Sequence, residues 1–581
     1  MVISASQDAI ADAADGRPVA TRRRWRGRPR PDAIPQGDWP DLVGRLLALR
    51  GVTDAGAASA FLGKPGAQPD CSALPDIDIA IDRLARAAST GESVAVYGDF
   101  DVDGVTSAAQ LCEALSTLGA APVPYIPDRF TEGYGLNVAA VEKLHRDGAT
   151  LLVTADCGTS SIEEVARARE LGMDVIILDH HTVPPELPAA TALVNPRVTG
   201  AAPGGLLELA TAGLAFHVAS ALHRACDRPF DADAYLDLAA LGTVCDMAPL
   251  VDENRRLVRA GLPAIARTRR PGLRALIEVS RSNPASLTAE DIGYRLGPRV
   301  NAAGRIAHAR LALELLMTRD EDRGRELAQQ LDALNRERQE RTLQAVDIAT
   351  QMVEAAGEPP ALIMVGHEDF SSGIVGLIAS KLVNLYGRPA VAYERGETAS
   401  RASCRSIDGF HITDAMRARP ELFVRFGGHR AAAGFTVENA RLDDVREHLV
   451  AEAARALAGR DLAPILEIDC NLPLRQLRGE EIRWLARVGP FGIGNPQPMF
   501  LARGVTVIDA RTVGDGDRHL KLRLREGAAT WRAIAFDIGA FAAVAGDRVD
   551  IVYALDLGRS DGALEIRIED IRPAADPAAA A

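Results

Sequence analysis

The chain has 581 residues and a formal net charge of −13. That length predicts three or four domains, and that charge excludes coating of nucleic acid by bulk electrostatics, so any polyanion must meet a local basic groove. Hydrophobic residues make up 47% and charged residues 25%, ordinary globular proportions, and no run reaches the roughly 18 apolar residues of a membrane span.

The start, "MVISASQDAIADAADG", lacks a positive region followed by an apolar core, which predicts no secretory signal and a cytoplasmic protein with no membrane partner. The run "RRRWRGRPR" at 22–30 holds Pro and Gly and predicts a solvated or disordered arm, followed by a small helical segment up to residue 75. From 76 to 319 a first domain opens with strand-like runs ("SVAVYGD", "VPYIPD", "TLLVTAD", "DVIILDHH") alternating with helix-length amphipathic runs. That alternation predicts an α/β domain with a parallel sheet. Ligand sites in such sheets lie beyond the carboxyl ends of the strands, where this chain places Asp99, Asp101 and Asp103, then Asp128, Asp156, and Asp179, His180 and His181.

Residues 320–356 read as one helix without Gly or Pro after its first turn, spanning roughly 50 Å at ~1.5 Å per residue. Leu327, Leu331 and Leu334 share one face, while the middle, "NRERQERT", is charged all round and predicts a helix that bridges two domains. A second, smaller α/β domain follows over 357–458 and short strands over 459–575 predict an OB-type β-barrel, leaving 576–581 as a disordered tail. Seven cysteines without a CxxC predict reduced thiols, with neither a disulfide framework nor a structural zinc.

Asp99, Asp101 and Asp103 stand at spacing two, which converges on one side of an extended segment. Carboxylates so placed repel unless cations sit among them. The rival reading, an Asp-rich turn capping the next helix, explains one aspartate and leaves two. Asp156, His180 and Asp246 each follow an apolar run and add ligands, enough for two divalent ions about 3.5–4 Å apart. Imidazole among carboxylates favours Mn²⁺, with Mg²⁺ as the alternative.

The motifs "DFDVDG", "TADCGT" and "LDHH" resemble successive signatures of the DHH phosphoesterase family. The later motifs "GPRVNAAGRI", "SSGIVGLIASKL", "SCRS", "FGGHRAAAGF" and "GPFGIGNPQPMF" are similar to its exonucleases specific for single strands, over about 75 to 575. The resemblance implies that Asp99, Asp101, Asp103, Asp156, His180 and Asp246 hold two metals, with Asp156 shared. Asp101, Asp103, Asp156, His180 and His181 would form the catalytic set, and Asp179 would support them. It further implies that Arg299, Asn301, Arg305, Ser403, Arg405, Gly427, Gly428 and His429 bind substrate around a terminal 5′ phosphate. The implied function is a 5′–3′ exonuclease on single-stranded DNA in repair and recombination, a monomer working beside a helicase and a single-strand-binding protein. The barrel would add aromatic and basic side chains for incoming bases, although Phe500, Phe536 and Trp531 suit its core better than its surface.

Two rivals remain at this level. A phosphodiesterase for short RNA or cyclic dinucleotides needs no long bridging helix and no final barrel. A non-catalytic replication scaffold on the same core would lack several ligand carboxylates, all of which this chain has.

Overall fold

The structure is a computed structural model that describes residues 23–200, 205–477, 479–539, 541, 543–557 and 564–574. These fall into two compact units, one within Pro65–Asp461 and Gly492–Gly494, the other within Met1–Lys64, Leu462–Phe491 and Asn495–Ala581.

The first unit opens on a five-stranded parallel sheet in the order Ala121–Tyr125, Ser93–Gly98, Leu151–Ala155, Asp174–Leu178, Ala192–Val194. Its central strands are near-continuous apolar runs because helices cover both faces, and Val96, Leu152, Val153, Ile176 and Ile177 are fully buried. The register pairs Gly98 with Ala155 and Ala155 with Leu178. The next residue of each strand therefore emerges at one edge, bringing Asp99, Asp156 and Asp179 side by side.

The predicted long helix runs Glu321–Ala355. Leu327, Ala328 and Leu331 belong to the core built on the first sheet, whereas Ala345, Val346, Ala349 and Val353 belong to the core of a second sheet. One helix thus enters two cores with a polar interval between them. The second sheet is mixed, ordered Arg425–Gly428, Ala432–Glu438, Ala399–Arg405, Ala390–Arg395, Ile363–His367, with only the last pair parallel.

In the other unit, strands Phe500–Val513, His519–Glu526, Ala529–Ala535, Leu564–Pro573 and Arg548–Leu557 pair in that order, and the last returns to the first. This closed five-stranded barrel is the expected OB-type element. Phe500 is 1% exposed in its core, and Trp531 packs against that core with its Nε1–H donating to Leu474 O at 3.2 Å. The small helical segment also lies in this unit: Val43 and Leu47, on Asp41–Ala48, pack with Leu62 and Val488.

Two expectations are corrected here. The arm is structured: Arg24–Gly27 pairs in parallel with Ile465–Ile468. Alternation decides it, because Trp25 turns inward at 8% exposure, its Nε1–H donating to buried Asp570 Oδ2 at 2.6 Å, while the exposed Arg24 and Arg26 point outward. Acids on or beside the partner strand take the arm's charges, Glu467 facing Arg26 at 2.6 Å and Asp469 facing Arg28 at 3.3 Å. Nor do the expected short strands over 459–575 all enter the barrel: Ile465–Ile468 pairs with the arm, and after Asp469 the separate Cys470–Asn471 lies parallel to Phe500–Leu501. Arg22 and the tail 576–581 lie outside the described residues. All seven cysteines are free, and among the described residues no helix is long and apolar enough to cross a membrane.

Trp25→Phe keeps the ring and deletes the donor to Asp570, leaving a buried carboxylate oxygen short of a partner at a cost of about 1–3 kcal/mol. Amide exchange across Arg24–Gly27 and Ile465–Ile468 should accelerate by roughly 5- to 150-fold; unchanged protection would mean that the arm is held by apolar contact alone.

Candidate metal centre and phosphate cleft

Only Asp99 leaves the strand as the spacing argument requires. Helix Val102–Leu118 begins at once, and Asp101 is its N-cap, accepting from the amides of Asp103 at 2.9 Å and Gly104 at 3.1 Å. Asp103 sits in the first helical turn. The extended reading is therefore corrected to a strand end plus a helix start, and the capping reading holds for Asp101. Gly104 makes the tight junction possible, since a Cβ there would lie 2.5 Å from the Asp99 backbone.

Asp103 is fully buried because a second helix reaches it. The amides that open Thr211–Ala225 donate to both its oxygens, Thr211 N to Oδ2 at 2.8 Å and Ala212 N to Oδ1 at 2.7 Å. The Thr211 hydroxyl donates to Asp156 Oδ1 at 3.0 Å. Asp156 adopts φ 69, a strained conformation for a non-glycine that here turns its carboxylate back over the sheet edge. Asp246 arrives from the C-cap of helix Asp233–Cys245.

His180 lies at the centre. Its Nε2 is 3.3 Å from Asp156 Oδ1, 3.7 Å from Asp246 Oδ2 and 3.9 Å from Asp103 Oδ2. Burial, followed by the charge of His181, lowers its pKa to about 3, so the imidazole is neutral. That Nε2 and Asp99 Oδ1 are both buried with no hydrogen-bond partner, and buried polar atoms in a native fold call for an ion, a ligand or a water to complete them. Ligand atoms of Asp99, Asp101 and Asp156 lie within 4.8 Å of one another, as do those of Asp103, His180 and Asp246, and those of Asp156, His180 and His181. Oxygen-rich donors with one neutral imidazole fit Mn²⁺ or Mg²⁺.

The metal-free electrostatics are unfavourable. Burial first, and neighbouring aspartates second, push Asp103 up to about 7 and Asp246 up to about 9, and drive Asp99 and Asp156 well above the carboxylate range. Asp179 differs. Burial opposes its charge, but the hydrogen bond and charge of His181 and the amide of Thr159 hold it well below the usual range. His181 Nδ1 pairs with Asp179 Oδ1 at 2.7 Å; burial works against the imidazolium, yet this carboxylate outweighs it and His181 rises to about 9.

The expected substrate residues gather beside this pocket. The His429 ring lies nearly parallel to that of His181 with centroids 6.4 Å apart, at the end of an edge strand whose Gly427 backbone stands open. Ser403 and Arg405 share a strand face, Arg405 Nη1 donating to Ser403 Oγ at 3.1 Å. Arg305 donates to Gly373 O at 3.1 Å, and burial followed by the charges of Arg129, Arg338 and Arg405 lowers it to about 9. Among the described residues none of these four arginines makes an ion pair with a carboxylate, so the cluster lacks an anion. Arg299 is more committed: its Nε meets Asp332 at 2.9 Å and its Nη1 meets Arg295 O at 2.6 Å, tying helix Gly297–Ile306 to the long helix. Asn301 is half-buried on that same short helix.

Several residues of the site escaped sequence reasoning. Thr211 and Ala212 act through backbone amides, which no side-chain pattern announces. Tyr134, between two glycines of positive φ, places its hydroxyl 3.1 Å from His181 Nε2. Arg129 stacks over Phe100 at 4.0 Å. Its signal was available, since "PDRFTEGYG" follows a strand end just as the other site segments do.

The chain is similar to known proteins along most of its length. Residues 93–243 match the DHH family, N-terminal domain; 358–458 match the DHHA1 domain; 468–570 match the RecJ OB domain. The single-stranded-DNA-specific exonuclease RecJ of Bacillus subtilis (strain 168) is 36% identical over 549 residues, 93% of this chain and 69% of its own length. That of Dickeya dadantii is 34% identical over 576 residues, 94% of this chain and 99% of its own. The crystal structure of RecJ from Thermus thermophilus in complex with Mn²⁺ superposes with a TM-score of 0.80 at 29% identity, covering 96% of this chain and 80% of that one. Its complex with Mg²⁺ gives 0.74 at 28% identity, with 96% and 79% covered.

Because Asp103 and Asp246 hold protons that a dication must displace, Mn²⁺ binding should release protons, and affinity should rise as pH is raised through about 7 towards about 9. Titration calorimetry in buffers of different ionisation enthalpy checks this; affinity flat across that window would contradict it. The chain belongs to the RecJ family.

Proposed function

We propose a two-ion mechanism for this chain, a metal-dependent exonuclease that degrades single-stranded DNA. Asp99, Asp101, Asp103, Asp156, His180 and Asp246 would hold the ions. The observation that carries this is the neutral, unpartnered His180 Nε2 set among three carboxylates that repel one another. When bound, the ions supply positive charge to the phosphodiester and acidify the attacking water.

The remaining chemistry falls to side chains. Asp179 keeps a proton on His181, which is placed to give it to the leaving sugar oxygen. Thr211 and the helix start beneath Asp103 fix the carboxylates so that they need not reorganise during the reaction. Ser403, Arg405, Arg305 and the backbone of Gly427, which no side chain shields, take the terminal phosphate, which sets the register of cleavage and gives 5′–3′ polarity. His429 closes over His181 from the second sheet. With these ring centroids 6.4 Å apart, the second sheet comes too close to the carboxylates for a duplex to reach them.

Exclusion of duplex implies that a strand-separating helicase supplies the substrate and that a single-strand-binding protein shares it, as in repair and recombination. The chain works as a monomer in the cytoplasm. The barrel supports a polymer over a dinucleotide substrate: Arg511 stands opposite Lys521, a like-charge pair that a polyanion relieves. All six metal-site residues are present and gathered, which disfavours a non-catalytic scaffold.

Asp156→Ala or Asp101→Asn should lower Mn²⁺-dependent hydrolysis of single-stranded oligonucleotides by about a thousandfold or more while retaining strand binding; turnover near that of the unchanged chain would refute the assignment. Arg405→Ala should reduce the preference for a 5′-phosphorylated end by about tenfold, the worth of one charge-assisted hydrogen bond. End-labelled single- and double-stranded oligonucleotides phosphorylated at either end provide the readout, and unchanged end preference would remove Arg405 from that role.

A further inference from the structure

The long helix carries a buried stripe that steps by three and four residues through Leu331, Asn335, Arg338, Thr342 and Ala345. The stripe is apolar where it enters each core and polar in between. A helix that merely bridged two domains would solvate this interval, yet Asn335 is 2% exposed and Arg338 half-buried.

Cations on the outer side of the same interval are neutralised, Arg336 by Asp332 at 3.3 Å and Arg341 by Glu337. Arg338 makes no ion pair among the described residues, and its Nε is buried without a partner. Asn335 Oδ1, one turn earlier, is buried without a partner as well. Leaving the Arg338 Nε–H and the Asn335 Oδ1 buried with nothing to satisfy them costs about 1–3 kcal/mol each, and the neighbouring charges deepen the deficit, because Arg338 lies within electrostatic reach of Arg305 and Arg299. A guanidinium flanked by cations on one helical face matches the acceptor oxygens of a phosphodiester, and the Asn335 amide one turn away, rotated so that its NH₂ takes the place of the unpartnered oxygen, donates to the same group.

We infer that Arg338 and Asn335 form a subsite for an internal phosphodiester of the bound single strand, separate from the terminal-phosphate pocket of Ser403 and Arg405. The inner face of the bridging helix is then a floor along which the strand lies, and this rests on the reading of the chain as a single-strand exonuclease.

The test compares the full chain with Arg338→Ala and the near-isosteric Arg338→Gln, in Mn²⁺, on a 20-mer of thymidylate and on a 5′-phosphorylated dinucleotide. For either variant kcat/KM on the 20-mer should fall about tenfold, the worth of one charge-assisted hydrogen bond, and on the dinucleotide by less than about threefold. The logarithmic salt slope of 20-mer binding should become shallower by about 0.7, the value for one phosphate contact on a single strand. Arg338→Lys should restore the slope without the full affinity. Mn²⁺ affinity serves as the control for folding, and Asn335→Ala is the second probe should both neutral variants fail to fold. Equal losses on the two substrates would place Arg338 in the terminal pocket and overturn the inference, as would a variant indistinguishable from the unchanged chain. Failure of the unchanged chain to degrade the 20-mer would instead overturn the broader reading.

Discussion

The structure depends on a repulsion that its own atoms do not relieve. Asp99, Asp103 and Asp156 are at most 2% exposed and all carry pKa values pushed upward, with burial the largest cause. Their charges share a pocket with Asp246 and a neutral imidazole. Without cations the groups hold protons or remain strained; with a dication pair, the charges that oppose folding become the ligands that complete it. By linkage, raised carboxylate pKa values give stability that is complete below the unfolded value and is lost as pH rises through the folded one. The metal-free protein is therefore weakest at the neutral to alkaline pH where a divalent ion binds best.

The rest of the first unit serves this pocket. A parallel register sets three strand ends level, one helix start supplies Asp101 and Asp103, another braces Asp103 through amides, and a third helix ends at Asp246. The second sheet brings an opposite set of groups, arginines and the bare backbone of Gly427, near the acids. Negative charge that needs cations and positive charge that needs anions thus lie side by side, an arrangement suited to a phosphodiester bound through metal on one side and guanidinium on the other.

Much of this was legible in the sequence because strand-end positions are local. "YGDFD", "TADCG" and "ILDHH" each follow an apolar run, and a parallel sheet aligns whatever comes next. The long helix and the barrel were legible from the absence of breakers and from alternation. The finer geometry was not. Spacing of two suggested three aspartates on one extended face, but the chain turns helical after Asp101, and helix capping overrides strand alternation there. The basic arm read as solvated because its partners, Glu467, Asp469 and Asp570, lie more than 400 residues away. Arg338 was lost in a segment that looked uniformly charged; only burial separates the paired outer arginines from the unpartnered inner one.

The central claim is that two divalent ions occupy the pocket around His180. Anomalous diffraction at the manganese edge, on crystals grown with Mn²⁺, tests it most directly. The account predicts two peaks about 3.5–4 Å apart, one against Asp99, Asp101 and Asp156 and the other against Asp103, His180 and Asp246. A pocket free of anomalous density at saturating Mn²⁺, or a single ion bound outside these residues, would contradict it.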